Sequence, residues 1–144
     1  MIPTTSYIRK ESDQRTTILL VEDEPFVLDA TMRILRSAGF DVLAAVDAKE
    51  AKQLYEQHCS RIDLVMTDMV LPDRSGRQLA KELRSASPGV SILLTSGYGE
   101  AEGEAASLES GTHYLPKPYS RANLVEKIVE ITGRPVQRAV KQTG

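Results

Sequence analysis

Several residues able to do chemistry stand where short apolar runs end. Glu22 and Asp23 follow Ile18-Leu19-Leu20-Val21, and Asp68 follows Leu64-Val65-Met66-Thr67. Thr95 and Ser96 close the run that begins Ile92-Leu93-Leu94, and Lys117 comes just after Tyr114-Leu115. Crowded carboxylates repel one another, and each resists ionising unless a cation sits between them. Oxygen-only donors of this kind suit Mg²⁺, which keeps some of its water and commonly shares its shell with phosphate. A carboxylate can also attack phosphorus and form an acyl phosphate. A metal ion and a lysine would then neutralise charge on the equatorial oxygens of the transferred group, and a hydroxyl such as that of Ser96 could donate to another of them. Gathered in one place, this set suits the acceptance and retention of a phosphoryl group.

Gathering them requires a particular arrangement of elements. A four-residue apolar run without polar alternation reads as a strand covered on both faces, the mark of a parallel sheet. Such runs occur at Ile18–Val21, Val42–Val46, Leu64–Thr67 and Ile92–Thr95, with a shorter one at Tyr114-Leu115. Between them lie helical patterns. Pro25 suits a first helical turn, with Val27, Ala30, Ile34, Leu35 and Ala38 on the buried side and Gly39 as the stop. Asp47 is placed to cap a second helix, with Glu50 three residues on and Ala51, Leu54 and Tyr55 facing inward. A loop with Pro72 and Gly76 leads into a third helix, carrying Leu79, Ala80 and Leu83. The segment Glu100–Leu108 predicts a fourth. Ser120 caps the last, with Leu124, Val125, Ile128, Val129 and Ile131 inward and Gly133 and Pro135 ending it. Alternating strands and helices predict an α/β fold, a doubly wound five-stranded parallel sheet with helices on both faces. In such a sheet ligands bind beyond the carboxyl ends of the strands, where every residue named above would converge.

The bulk properties set limits. The chain has 144 residues, a formal net charge of -2, one cysteine and two histidines. That length fits one domain, predicted over 16–133, with polar aperiodic tails at 1–15 and 134–144. The charge balance offers no basic field for nucleic acid. No apolar run approaches the ~18 residues a bilayer span needs, and the first residues lack a secretory signal. A cytoplasmic location is expected. Cys59 has no cysteine partner for a disulfide.

Four stretches, ILLVEDEP (18–25), DLVMTDMVLPDRSG (63–76), ILLTSGY (92–98) and YLPKP (114–118), resemble the receiver domains of bacterial response regulators and hybrid histidine kinases, in family order and spacing. The likeness runs from about Thr17 to Thr132. It implies a flavodoxin-like (βα)5 fold with strand order 2-1-3-4-5. It implies that Asp68 is the phosphoacceptor, that Asp23 binds Mg²⁺ directly and Glu22 mostly through water, and that the backbone carbonyl of Val70 is a further ligand. Ser96 matches the switch hydroxyl, with Thr95 the rival if the register slips by one; Ser96 stands 28 positions beyond Asp68, the family spacing. Tyr114 resembles the switch aromatic and Lys117 the phosphate-binding lysine, whose bond to Pro118 is cis in the family. The approach to the fifth strand, Gly111-Thr112-His113-Tyr114, is a residue shorter than usual. With the TSGY string it resembles receivers attached to hybrid sensor kinases.

What the resemblance implies is a signalling module of a two-component phosphorelay, a phosphoprotein and not a metabolic enzyme. A histidine kinase or histidine phosphotransfer domain would donate to Asp68. The face of the predicted fourth helix, fifth strand and last helix would switch, and would serve a homodimer contact. An aspartate-nucleophile phosphatase of the haloacid dehalogenase type would need Asp-x-Asp at its first strand; here the acidic pair is adjacent and Asp68 has Val70 two residues on. A degenerate receiver would lack the acceptor, acidic pair or lysine, all of which are present. Plainer readings stand beside these. Asp68 alone could cap a helix, Tyr114 could be core, and His58, His113 and Cys59 read as structural or inert. Glu100, Glu102, Glu104 and Glu109 read as a solvated helix face. Val70 and Tyr98 offer no carboxylate or amide to position attacking water, which predicts slow self-dephosphorylation. With no DNA-binding module after Thr132, direct control of transcription by this chain is not expected.

Overall fold

Each apolar run becomes a strand because both its faces can be covered, and the computed structural model, which describes residues 15–97 and 110–134, shows how. Five strands form: β1 (Thr17–Val21), β2 (Asp41–Ala45), β3 (Leu64–Asp68), β4 (Ile92–Ser96) and β5 (Thr112–Pro116). Four helices join them among the described residues: α1 (Pro25–Ser37), α2 (Ala48–His58), α3 (Gly76–Ala86) and α4 (Arg121–Thr132). All strand pairs are parallel, and their order is β2-β1-β3-β4-β5, as expected. The predicted helix at Glu100–Leu108 falls outside the described residues.

Side-chain alternation divides the core in two. Leu19, Val21, Val65, Ile92 and Leu94 meet Ala51 and Tyr55 of α2 and Leu79 and Leu83 of α3. Ile18, Leu20, Leu64, Met66 and Leu93 meet Leu35 of α1 and Leu124 and Ile128 of α4 on the other face. This is the doubly wound arrangement. Truncating a fully buried residue such as Leu19 or Leu93 to alanine should cost about 2–5 kcal/mol, the usual sum of lost transfer energy and a cavity.

The helix ends follow the expected chemistry. Pro25 opens α1, and Gly39 takes the positive φ of 99° that turns the chain into β2. Asp47 accepts a hydrogen bond from Glu50 N–H at 2.8 Å, while the Glu50 carboxylate accepts from Val46 N–H at 2.9 Å. Ser75 and Gln78 complete a reciprocal cap on α3, and Ser120 caps α4 through Asn123 N–H. Two side chains depart from expectation. Ala30 is exposed and Thr31 takes the buried place on α1, because position 31 lies one turn before Leu35 and shares its face, while Leu35 and Ala38 are buried as expected. Val46 is not in β2; the strand stops at Ala45 where the chain turns into the α2 cap, leaving Val46 exposed.

Candidate functional site

Parallel register brings the strand ends level. Val21 pairs with Thr67 and with Ala45, so Glu22 and Asp68 leave β1 and β3 as neighbours. Asp68 pairs with Thr95, and Ser96 with Pro116, which sets Lys117 at the same edge. Met69 N–H donates to Thr95 O and Lys117 N–H to Ser96 O, both at 2.8 Å, carrying the ladder one residue past the strands. The Lys117–Pro118 bond is cis.

The carboxylates converge. Glu22, Asp23 and Asp68 each bring one oxygen to within 4.8 Å of the other two. Glu22 is buried, Asp68 half-buried and Asp23 exposed. Lys117 Nζ lies 3.7 Å from a Glu22 oxygen and 3.5 Å from an Asp68 oxygen. Burial pushes the Glu22 carboxyl above its ordinary value, and the nearby charges of Asp68 and Asp23 push the same way. The Glu24 N–H, which donates to it at 3.1 Å, and the Lys117 ammonium only partly offset this. A cation among these oxygens would reverse that balance. The donor set is all oxygen, convergent and short of positive charge, and it fits a hard divalent ion such as Mg²⁺.

Ser96 is buried, and its Oγ lies 2.8 Å from the Tyr114 hydroxyl and donates to Gly97 O at 3.4 Å. Thr95 is buried beside Asp68 in register. Tyr114 also packs against the core, so its structural reading is realised. His113 is half-buried, and burial first, then the Lys127 ammonium, hold its pKa below the ordinary value. Cys59 is exposed at the end of α2. Tyr98 and the four glutamates at 100–109 lie outside the described residues.

The loop after β3 folds back tightly. Val70 and Ser75 form an antiparallel bridge, and Gly76 N–H donates to Met69 O at 2.8 Å. Gly76 is required there: a Cβ at this position would stand 2.3 Å from the Asp68 carbonyl oxygen. Two polar groups near the site are not legible in the sequence. Asp73 in this loop accepts from Ala48 and Lys49 N–H, both at 3.0 Å. Tyr119, after Lys117-Pro118, packs on the α1/α4 core; burial raises its pKa, partly countered by a hydrogen bond with Thr31. Neither shows in sequence periodicity, because both partnerships span distant segments.

Comparison with known proteins agrees with this geometry. The response regulator receiver domain family matches residues 18–129. The sensor kinase CckA of Brucella abortus is 36% identical over 118 residues, which cover 80% of this chain and 12% of that kinase. A receiver domain from Clostridium thermocellum superposes with a TM-score of 0.77 at 28% identity, covering 83% of this chain and 95% of that one. The response regulator TrrA of Thermotoga maritima, determined in complex with Mg(2+)-BeF, gives a TM-score of 0.72 at 26% identity over 81% of this chain and 98% of that one. The chain spans about half the length of the mycobacterial regulators it also matches. It therefore belongs to the response regulator receiver domain family of two-component systems, and its likeness extends to a receiver within a sensor kinase. Among the described residues no helix is long and apolar enough to cross a membrane.

Proposed function

We propose that this chain accepts a phosphoryl group on Asp68 from a phosphohistidine donor, with Mg²⁺ held by Glu22, Asp23, Asp68 and the Val70 carbonyl. The observation that carries this reading is the meeting of three carboxylates with one lysine at the end of the sheet. The complex of TrrA with magnesium and a beryllium fluoride lends support from within the family. In the reaction an Asp68 oxygen attacks phosphorus. The P–O bond to Asp68 forms as the P–N bond to the donor imidazole breaks, and the imidazole takes up a proton from solvent. Mg²⁺, when bound, supplies neutralising charge to the phosphoryl oxygens. Lys117, already 3.5 Å from Asp68, moves from the carboxylate toward the new phosphoryl oxygens.

Ser96 then donates its hydroxyl to a phosphoryl oxygen in place of Gly97 O, and its contact with the Tyr114 hydroxyl shifts with it. Ser96 is preferred over Thr95 for this contact with the aromatic as well as for its spacing. The redistribution biases a two-state equilibrium of the face around β5 and α4, where a partner or second copy would read it. Catalysis stops at self-phosphorylation and slow self-dephosphorylation; no metabolic substrate is turned over. The donor is a histidine kinase or phosphotransfer domain, and the setting is cytoplasmic. Incubation with acetyl phosphate and Mg²⁺ tests the reading: wild-type protein should gain one phosphoryl group and Asp68→Asn none. Full labelling of that variant would refute the assignment. Val70, 57% exposed, carries no group to orient water, so the label should outlast the purification; loss within seconds would contradict this.

A further inference from the structure

The loop that carries Val70 is tied at three levels, and the outermost tie involves a residue with no assigned role. At its base, Met69 N–H is held by Thr95 O and Gly76 N–H by Met69 O, each at 2.8 Å. Next comes the Val70–Ser75 bridge, with Leu71 buried in the core between them. At the apex, Asp73 reaches across to a helix that begins 25 positions earlier in the chain. Its two carboxylate oxygens accept separately from Ala48 and Lys49 N–H, each at 3.0 Å. Arg74 beside it bonds Glu82 of α3, and Lys52 of α2 lies 3.3 Å from the same carboxylate.

The first N–H groups of a helix have no partner within the helix and attract negative charge. In α2 the work is divided. Asp47, the residue before the helix, takes Glu50 N–H at 2.8 Å, and Asp73 takes the two N–H groups before it. Asp47 belongs to the β2–α2 junction, whereas Asp73 belongs to the loop after the acceptor. Loss of either leaves helix donors to water. Loss of Asp73 alone also removes the loop's tie to α2, leaving its apex held only through Arg74 and Glu82.

We propose that Asp73 is a positioning residue for the cation site: by bridging two N–H groups of α2 it fixes the loop that carries Val70, two residues beyond Asp68, whose carbonyl is the backbone ligand proposed above. This rests on the reading of the site given above. A carbonyl ligand adds to cation affinity only if its backbone is held, since ordering a loose loop would cost conformational entropy at each binding event. Residues that orient metal ligands without touching the metal are worth about 10–100-fold in affinity or activity.

The experiment uses the full chain and compares Asp73→Ala with Asp47→Ala, which uncaps the same helix without touching the loop. Mg²⁺ affinity is measured by titration calorimetry, labelling rate by acetyl phosphate across a Mg²⁺ series, and folding by thermal melting. Asp73→Ala should weaken Mg²⁺ binding by about tenfold and move the Mg²⁺ dependence of labelling by the same factor, with the rate at saturating Mg²⁺ little changed. Asp47→Ala should lower the melting temperature comparably and leave Mg²⁺ affinity unchanged. Asp73→Asn, which keeps one acceptor and turns an amide N–H₂ toward the other donor, should fall between; it carries the test should Asp73→Ala not fold. Wild-type affinity in the Asp73 variants, or equal weakening in Asp47→Ala, overturns the inference and leaves the functional reading standing. A wild-type chain that binds no Mg²⁺ overturns both.

Discussion

The two ends of the sheet treat charge in opposite ways. At the amino end, Asp63 accepts from Thr17 N–H and pairs with Arg134, both at 2.9 Å, and Arg15 lies 3.6 Å from Asp41 while donating to Gly39 O. Each of these two acids meets an arginine of opposite charge. At the carboxyl end three carboxylates crowd together, the Lys117 ammonium reaches Glu22 and Asp68, and Glu22 is buried with its pKa driven up. The exposed large apolar side chains among the described residues, Phe26, Val46 and Val70, also sit at this end. The amino end is arranged for the folded state alone. The carboxyl end gathers like charges that folding alone does not call for, at some cost to stability, and it is there that the proposed cation and phosphoryl group would sit.

If that contrast holds, substitutions at one end should change chemistry and at the other only stability. The largest effect belongs to Asp68→Asn, which should abolish acetyl phosphate labelling while retaining a cooperative melt; mass spectrometry of the intact chain reads the outcome. Lys117→Ala should slow labelling by about 10²-fold, the usual worth of one charged group facing a transition state. An unchanged rate would place the lysine outside the reaction.

At the opposite end, Asp63→Ala should cost about 1–2 kcal/mol in urea denaturation, for the loss of hydrogen bonds to a charged, partly exposed group. Its labelling rate should match wild type, and a slowed rate would blur the distinction between the two ends. The smallest effect concerns Glu22. Its folded pKa lies above the ordinary 4.5, so its contribution favours folding while it is protonated and is lost as pH rises through the raised value. Without Mg²⁺, Glu22→Gln should therefore gain on the order of 1 kcal/mol at about pH 7 and nothing at about pH 4. Equal gains at both would show that the carboxylate is not strained. With saturating Mg²⁺ the sign should reverse, because the wild type alone keeps the full ligand charge.

The strand ends are readable in the chain itself. Four apolar runs and one short one mark β1 to β5, and a parallel βα order sends each carboxyl end to the same edge. Glu22, Asp23, Asp68, Ser96 and Lys117 are therefore assigned to one place by the order of elements, without any distance. Caps at Asp47 and Ser120 are equally visible, since a cap and its N–H lie three residues apart. The misreadings are local. Ala30 and Thr31 differ by one position, and Thr31, one turn before Leu35, takes the buried one although it is polar.

Other features take shape only when distant segments meet. Asp73 bonds a helix 24 and 25 positions away, and Ser96 meets Tyr114 across 18. The elevated pKa of Glu22 arises from burial and from charges on other loops. Sequence periodicity encodes which face of an element is apolar and where that element stops, because those are properties of neighbouring residues. How deeply a carboxylate is buried, and which backbone donors a loop finds, depend on the packing of elements against one another, and that is settled in three dimensions.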